Sequence, residues 1–179
     1  PVVGGLFDSR MGVIDHGKIC PTDGLDNRLC PGHFGHIELC RPVYHIQFIH
    51  IIVKILKCIC IRCSKILIDK TDTEIAEILK MLKGRARWKY IIDKCSKVKI
   101  CGNENNEGCG AVQPSKIIKE GLSKIYADWK GLPDITPENE HQILSVENIL
   151  KIFKRISDDD CEVMGLSPTW CRPDWLICS

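Results

Sequence analysis

Along the chain, apolar and polar positions alternate in two distinct rhythms. From residue 45 to 57 the run HIQFIHIIVKILK is interrupted only at Gln47, His50, Lys54 and Lys57, besides the leading His45. That spacing predicts a helix apolar round most of its girth, with one narrow polar stripe. His50 lies on the stripe and is expected to be solvated or hydrogen-bonded rather than a ligand. Thr71-Asp72-Thr73-Glu74 reads as a capping box for a helix with Ile75, Ile78, Leu79 and Leu82 on one face, stopping near Gly84. A second helical piece, Arg85 to Cys95, carries Trp88, Ile91 and Ile92. Residues 112–127 read as a hairpin turning at Lys119-Glu120-Gly121, with Leu122, Ile125 and Tyr126 on the return. Ser145 caps a helix with Ile149, Leu150, Ile152, Phe153 and Ile156 facing a core. Ser157, followed by three aspartates, starts a shorter helix that Gly165 ends.

Between these elements lie stretches that cannot fold on apolar patterning alone. Residues 1–19 carry turn signals between short apolar pieces and are expected to be extended and docked. Ile37-Glu38-Leu39 reads as a short strand-like exit from the loop before it, and residues 131–141 as a Pro-rich polar connection. The segment from Ser167 to Ile177 reads as an aromatic, extended tail. The expected class is α+β, irregular and loop-rich, with several helices and a small antiparallel hairpin or sheet.

Apolar residues make up 44% and charged residues 27%, which places the 179-residue chain among ordinary globular proteins. The net charge of +2 excludes a global field that would draw nucleic acid or membrane, so any basic surface is local. The most apolar stretch, Ile46 to Leu56, falls well short of the ~20 residues of a membrane span. The chain opens at Pro1 in mid-pattern, as part of something longer would.

Twelve cysteines change the picture. They cluster in short pairs beside histidine, and no secretory leader is apparent, so metal thiolates in a reducing compartment are expected over disulfides. Cys20 to His36, CPTDGLDNRLCPGHFGH, is broken too often by Gly and Pro for a long helix or strand. Cys30-x2-His33, with Cys20-x2-Asp23 a short loop earlier, suits the tetrahedral S/N coordination of Zn²⁺. Asp23 stands where a C-x2-C turn would place its second sulfur and is assigned as an oxygen ligand. The alternative is an Asx-type turn at Asp23-Gly24, with water, His16 or His36 in the fourth position.

A second set, Cys60-x2-Cys63 with Cys101 and Cys109, follows the logic of a zinc ribbon, in which two ligand pairs pin distant segments. The alternative is that the same residues are buried free cysteines, which pack well as small hydrophobes; zinc is the preferred reading. Cys40, Cys58, Cys95, Cys161, Cys171 and Cys178 have no pairing spacing and are expected to pack.

Arg85, Arg87 and Lys89 with Trp88 and Tyr90 form a basic-aromatic patch of the kind that meets phosphates and bases; a solvated face beside a core Trp88 explains them more simply. Asp158-Asp159-Asp160 are charges favoured at a helix N-terminus rather than a catalytic cluster. No nucleophile elbow, phosphate loop or H-E-x-x-H is present.

CPGHFGHIEL (Cys30 to Leu39), preceded by GGLFDSRMGVID (Gly4 to Asp15), closely resembles the N-terminal part of the largest subunit of multisubunit DNA-directed RNA polymerases. The likeness runs on through PVYHIQFI, CICIRCSKIL, GCGAVQP, SVENILKIFKRIS and CRPDWLI, in the eukaryotic, archaeal and large-DNA-virus pattern. It implies two zinc-stapled lobes, with residues 1–48 part of the clamp core and 49–179 the clamp head. It maps zinc ligands onto Cys20, Cys30 and His33, and onto Cys60, Cys63, Cys101 and Cys109; where the family has a further cysteine, this chain has Asp23.

The clamp closes over template DNA and the DNA–RNA hybrid during transcription. Implied partners are the second-largest subunit, the stalk subunits, template DNA, nascent RNA and transcription factors, with no membrane. Two structural Zn²⁺ ions are expected; Mg²⁺ belongs to the full enzyme, whose catalytic aspartates lie downstream, so this fragment alone should be inactive. The setting implied is the nucleus for a cellular eukaryote, or host cytoplasm or virion for a large DNA virus. A free-standing zinc-binding interaction module is the rival reading.

Overall fold

The computed structural model describes residues 2–102, 108–131, 140–167 and 176–178. The chain divides into two compact units, Pro1–Glu38 and Leu39–Ser179.

The first unit has almost no regular structure. A 3-10 helix at Ser9–Met11 is capped by Asp8, whose carboxylate accepts from the Arg10 N–H. The same carboxylate accepts from the Gly4 N–H at 2.7 Å and from the Arg10 guanidinium, closing the 4–10 segment on itself. The residues up to 19 are therefore not the extended, docked segment expected: they run through successive turns closed by local hydrogen bonds, and Leu6, Phe7 and Ile14 are exposed. Ile37-Glu38-Leu39 is not a strand: among the described residues no segment pairs with it, and Ile37 and Leu39 are exposed.

The second unit holds the core. Strand β1 (Val43–Tyr44) pairs antiparallel with β5 (Ile177–Cys178), and the Tyr44 hydroxyl donates to the Leu144 carbonyl. Helix α1 (Ile49–Leu56) buries Ile49, Ile52, Ile55 and Leu56, with His50 and Lys54 exposed on the predicted stripe. It starts four residues later than the apolar run. His45 is drawn into a turn, its N–H on the Leu176 carbonyl and its own carbonyl accepting from Phe48 and Ile49.

Helix α2 (Thr73–Met81) is capped by Asp72, which accepts from the Glu74 and Ile75 N–H groups. Thr71, the expected cap, is instead bound by Asp69. Of the proposed face only Ile75 is fully buried. Helix α3 (Gly84–Cys95) buries Ile91 and Cys95, with Trp88 packed on the core's margin.

A three-stranded antiparallel sheet follows, formed by β2 (Lys116–Glu120), β3 (Lys124–Asp128) and β4 (His141–Leu144). The hairpin turns at 121–123, two residues later than expected, so Leu122 sits exposed in the turn. β4 was not anticipated: HQIL is short and buries only Leu144. Ile117, Ile125, Ala127 and Leu144 line the buried side of the sheet.

Helix α4 (Val146–Lys154) is capped by Ser145 and buries Ile149, Ile152 and Phe153. Helix α5 (Asp158–Val163) is capped by Ser157, with its three aspartates in the first turn. Cys58, Cys95 and Cys161 are buried as expected of packing residues, whereas Cys40 and Cys178 are exposed. Cys171 and most of the aromatic tail lie outside the described residues, as does most of the Pro-rich connection. Among the described residues no helix is long and apolar enough to cross a membrane.

Candidate metal centres

Three segments of the chain close on themselves by one hydrogen-bond scheme. In the first, the Cys20 N–H donates to the Leu25 carbonyl at 2.9 Å and the Gly24 N–H donates to the Cys20 carbonyl at 2.8 Å. In the second, Cys60 N–H donates to Lys65 and Ser64 N–H to Cys60, at 2.8 and 2.9 Å. In the third, Cys101 N–H donates to Ala111 and Gly110 N–H to Cys101, both at 2.9 Å. Single bridges, Ile19 to Asp26, Ile59 to Ile66 and Ile100 to Val112, close each base. The residue after the second ligand position takes positive φ every time: Gly24 at 72°, Ser64 at 65° and Gly110 at 69°.

The chemistry of this turn is simple. Two backbone bonds fold the chain so sharply that the side chains at its first and second ligand positions converge. The third turn does so across a longer insertion, and Gly108 lets the returning chain meet Cys101. A Cβ there would lie 2.3 Å from the Cys101 carbonyl oxygen.

The second and third turns bring Cys60, Cys63, Cys101 and Cys109 together, their sulfurs all within 4.8 Å of one another. Cys60 and Cys109 are 3.6 Å apart, as are Cys63 and Cys101. A disulfide would need about 2.05 Å, whereas a tetrahedron with Zn–S bonds of about 2.3 Å has edges of about 3.8 Å. The spacing fits four thiolates round one Zn²⁺. Burial opposes ionisation of Cys109, yet the Ala111 N–H and the neighbouring thiols bring its pKa down to about 7. Cys63 and Cys101 are pushed up, by burial first; a bound cation would reverse that by deprotonating its thiols outright.

The first turn supplies Cys20 and Asp23, and Cys30 and His33 join them, with ligand atoms again within 4.8 Å. His33 Nε2 lies 3.9 Å from Cys30 Sγ and 3.1 Å from Asp23 Oδ2. Asp23 uses its two oxygens differently: Oδ1 accepts from the Leu25 N–H at 3.0 Å, and Oδ2 faces the cluster. The Asx-type turn is thus formed through Oδ1, while Oδ2 stays in the cluster, free to serve as a ligand. The Leu25 N–H, then the Cys30 thiol, hold its pKa down to about 2. His33 is tied in place by its N–H on the Met11 carbonyl at 2.8 Å. His16 is not in the cluster; its Nδ1 lies 3.2 Å from Asn27 Nδ2. Two sulfurs, a ring nitrogen and a carboxylate oxygen are a donor set that Zn²⁺ accepts.

The whole chain, residues 1–179, matches the family described as RNA polymerase Rpb1, domain 1. The chain belongs to that family. A curated relative, the DNA-directed RNA polymerase II subunit RPB1 of Euplotoides octocarinatus, is 38% identical over 186 residues. The match takes in 100% of this chain and 38% of that protein, so the chain spans well under half of its relative's length.

The basic patch predicted on α3 is divided by the fold. Arg85 and Lys89, four residues apart and so on one helix face, are exposed. Arg87 is turned onto α5, its Nε donating to the Val163 carbonyl at 3.0 Å and its Nη2 to the Glu162 carbonyl at 2.9 Å. Both carbonyls belong to the C-terminal end of α5, where a cation is favoured, and that of Glu162 also accepts from the Gly165 N–H at 2.9 Å.

Sequence reasoning missed Gln113. It is buried, and its Nε2 donates to Cys60 Sγ at 3.2 Å and to the Ala111 carbonyl at 2.9 Å. The only signal was its place four residues after Cys109, in GCGAVQP. It missed Lys70 as well, which bridges Asp159 and Asp160 at the start of α5.

Proposed function

We propose that this chain is the clamp portion of the largest subunit of a DNA-directed RNA polymerase, closing over template DNA and the DNA–RNA hybrid during transcription. The observation that carries the reading is the family match across all 179 residues, with which the two metal-ligand clusters agree. Residues up to about 48 serve as part of the clamp core and the remainder as the clamp head.

Each lobe is stapled by one structural Zn²⁺. Cys20, Asp23, Cys30 and His33 hold one, and Cys60, Cys63, Cys101 and Cys109 hold the other. The zinc supplies cross-linking and no chemistry on nucleotides. The chain's own part is to aim the ligands through its three turns and to hold Cys60 through Gln113. Arg85 and Lys89 are the side chains best placed to meet a phosphate backbone; Arg87 is committed to α5.

In the assembled enzyme the partners are the second-largest and stalk subunits, template DNA, nascent RNA and transcription factors. Nucleotidyl transfer and Mg²⁺ belong to that assembly, in the nucleus if the source is a cellular eukaryote; the 179-residue chain by itself forms no phosphodiester bond. A cross-braced zinc module would interleave its ligands along the sequence. Here one cluster draws on residues 20–33 and the other on 60–109, which speaks against that rival.

The test uses the assembled polymerase. A fluorophore in the 121–123 turn, with its partner on the opposite wall of the cleft, should report a shorter distance once template and hybrid are loaded. No change on loading, in an enzyme active in RNA synthesis, would contradict the clamp reading.

A further inference from the structure

The two metal centres are built from unequal materials. The second uses four thiolates; Cys60 and Cys101 belong to the buried core, and Cys63 and Cys109 pack against it. Gln113 donates a hydrogen bond to one of the sulfurs. The first uses two thiolates, one imidazole and one carboxylate, and only Cys20 among its four residues is buried. The side chains of Asp23 and His33 retain 18% and 28% of their exposure, enough for water or a chelator to reach the ion from that side.

The surroundings differ as sharply. Among the described residues of Pro1–Glu38 only Asp8 and Cys20 are buried, while Leu6, Phe7, Ile14, Leu29 and Phe34 are exposed. No described residue of this unit belongs to an apolar core, so the ligand cluster and a few turn hydrogen bonds hold it. In small domains without a sufficient core, metal binding is coupled directly to folding. Replacing a thiolate with a carboxylate makes the donor set harder and less selective for Zn²⁺.

We propose that the centre of Cys20, Asp23, Cys30 and His33 is an exchangeable metal site governing the folding of residues 1–38, while the four-cysteine centre is permanent. The inference rests on the two-zinc reading above and adds an order of release to it. Asp23 is the residue that sets the difference. Its Oδ1 is already held by Leu25, so it binds the ion through one oxygen, and it can let go without disturbing the turn.

The experiment begins with total zinc in the purified 179-residue chain, by elemental analysis. A value near two supports the two-zinc reading; a value near zero in folded protein overturns that reading and the inference with it. EDTA is then added, and released zinc is followed with a chromogenic indicator, with a thiol-blocking organomercurial to free the remainder. One equivalent should leave at least tenfold faster than the other. At that half-way point limited proteolysis should cut within residues 1–38 and spare 58–66 and 108–112. Asp23→Cys should slow the fast phase at least tenfold. Refilling with Co²⁺ offers a check independent of any variant. The first equivalent taken up by half-depleted protein should show about half the thiolate-to-cobalt absorption of the second, taken up by fully depleted protein.

Two equivalents leaving together overturn the inference while leaving the two-zinc reading intact. So does first cleavage in the 58–66 turn, or a first cobalt ion with the stronger thiolate absorption.

Discussion

Gly24 and Ser64 occupy the same left-handed backbone well, at φ 72° and 65°, each one residue past the second ligand position of its turn. Nothing lies within 4 Å of where a Cβ would sit on Gly24, and the same holds for Gly110 in the third turn. Substitution there therefore tests backbone conformation alone. Gly24→Ala and Gly110→Ala should each cost about 1–2 kcal/mol through the left-handed penalty. Ser64→Gly should stabilise by up to about 1 kcal/mol, because it removes that strain and a buried hydroxyl that has no partner. Thermal unfolding in excess zinc measures all three. An unchanged Gly24→Ala would mean that the turn is not the element holding Cys20 and Asp23 together.

Asp23 stands in the first turn where Cys63 stands in the second, and its Oδ2 lies 3.1 Å from His33 Nε2 within the ligand cluster. Asp23→Ala should weaken zinc at the first centre by about ten- to a hundredfold or more, with the four-cysteine centre untouched. Competition with a chelator of known affinity reads the change. An unaltered affinity would leave Asp23 as a turn-former only.

Arg87 and its neighbours should separate into two classes of behaviour. Arg87→Ala removes two hydrogen bonds to the last carbonyls of α5 and should cost about 1–2 kcal/mol in denaturant unfolding. Arg85→Ala and Lys89→Ala, both exposed, should leave stability within about 0.5 kcal/mol. If they meet phosphates in the assembled enzyme, each should reduce the salt dependence of DNA binding by roughly one unit of slope. The reverse assignment, with Arg87 affecting DNA binding and not stability, would refute this division.

What could be read from the sequence was what rests on local rules. The helices capped by Ser145 and Ser157 were legible because cap, apolar spacing and terminal charges agree within one short window. Cys60 and Cys63 were legible because two residues between ligands is the turn's own period. The rest depends on partners distant in sequence. β1 is two residues long and exists because Ile177 and Cys178 return to it. β4 buries one side chain, so no alternation announces it. Cys101 and Cys109 lack the short spacing, and only the shared hydrogen bonds show that they form the same turn. The patch on α3 was read as one surface because Arg85, Arg87 and Lys89 are neighbours in sequence. Helical geometry and the α5 C-terminus divide it, and neither is visible in a list of charges.

The last prediction concerns alkaline pH and the bridge from Lys70 to α5. Lys70 reaches both Asp159 and the buried Asp160, tying the 69–71 turn to the first turn of α5. Burial by itself would lower the pKa of the ammonium, but the two carboxylates outweigh it, and the folded-state value is raised. A cation held more tightly in the folded state contributes stability that is fully present below its unfolded pKa of about 10.4. That contribution is lost as pH rises through the folded value, because the unfolded chain releases the proton first. The pair is partly solvated, so its worth is about 0.5–1 kcal/mol and no more. Lys70→Met keeps the aliphatic stem and removes the charge. The variant should be less stable than the natural chain by this amount at pH 8, and the gap should close towards pH 11 and above. Other groups that ionise over this range do so in both proteins and cancel in the difference. Denaturant unfolding at the two pH values, with zinc held in excess, measures it. A gap that is constant across that range would mean that Lys70 acts through packing rather than charge.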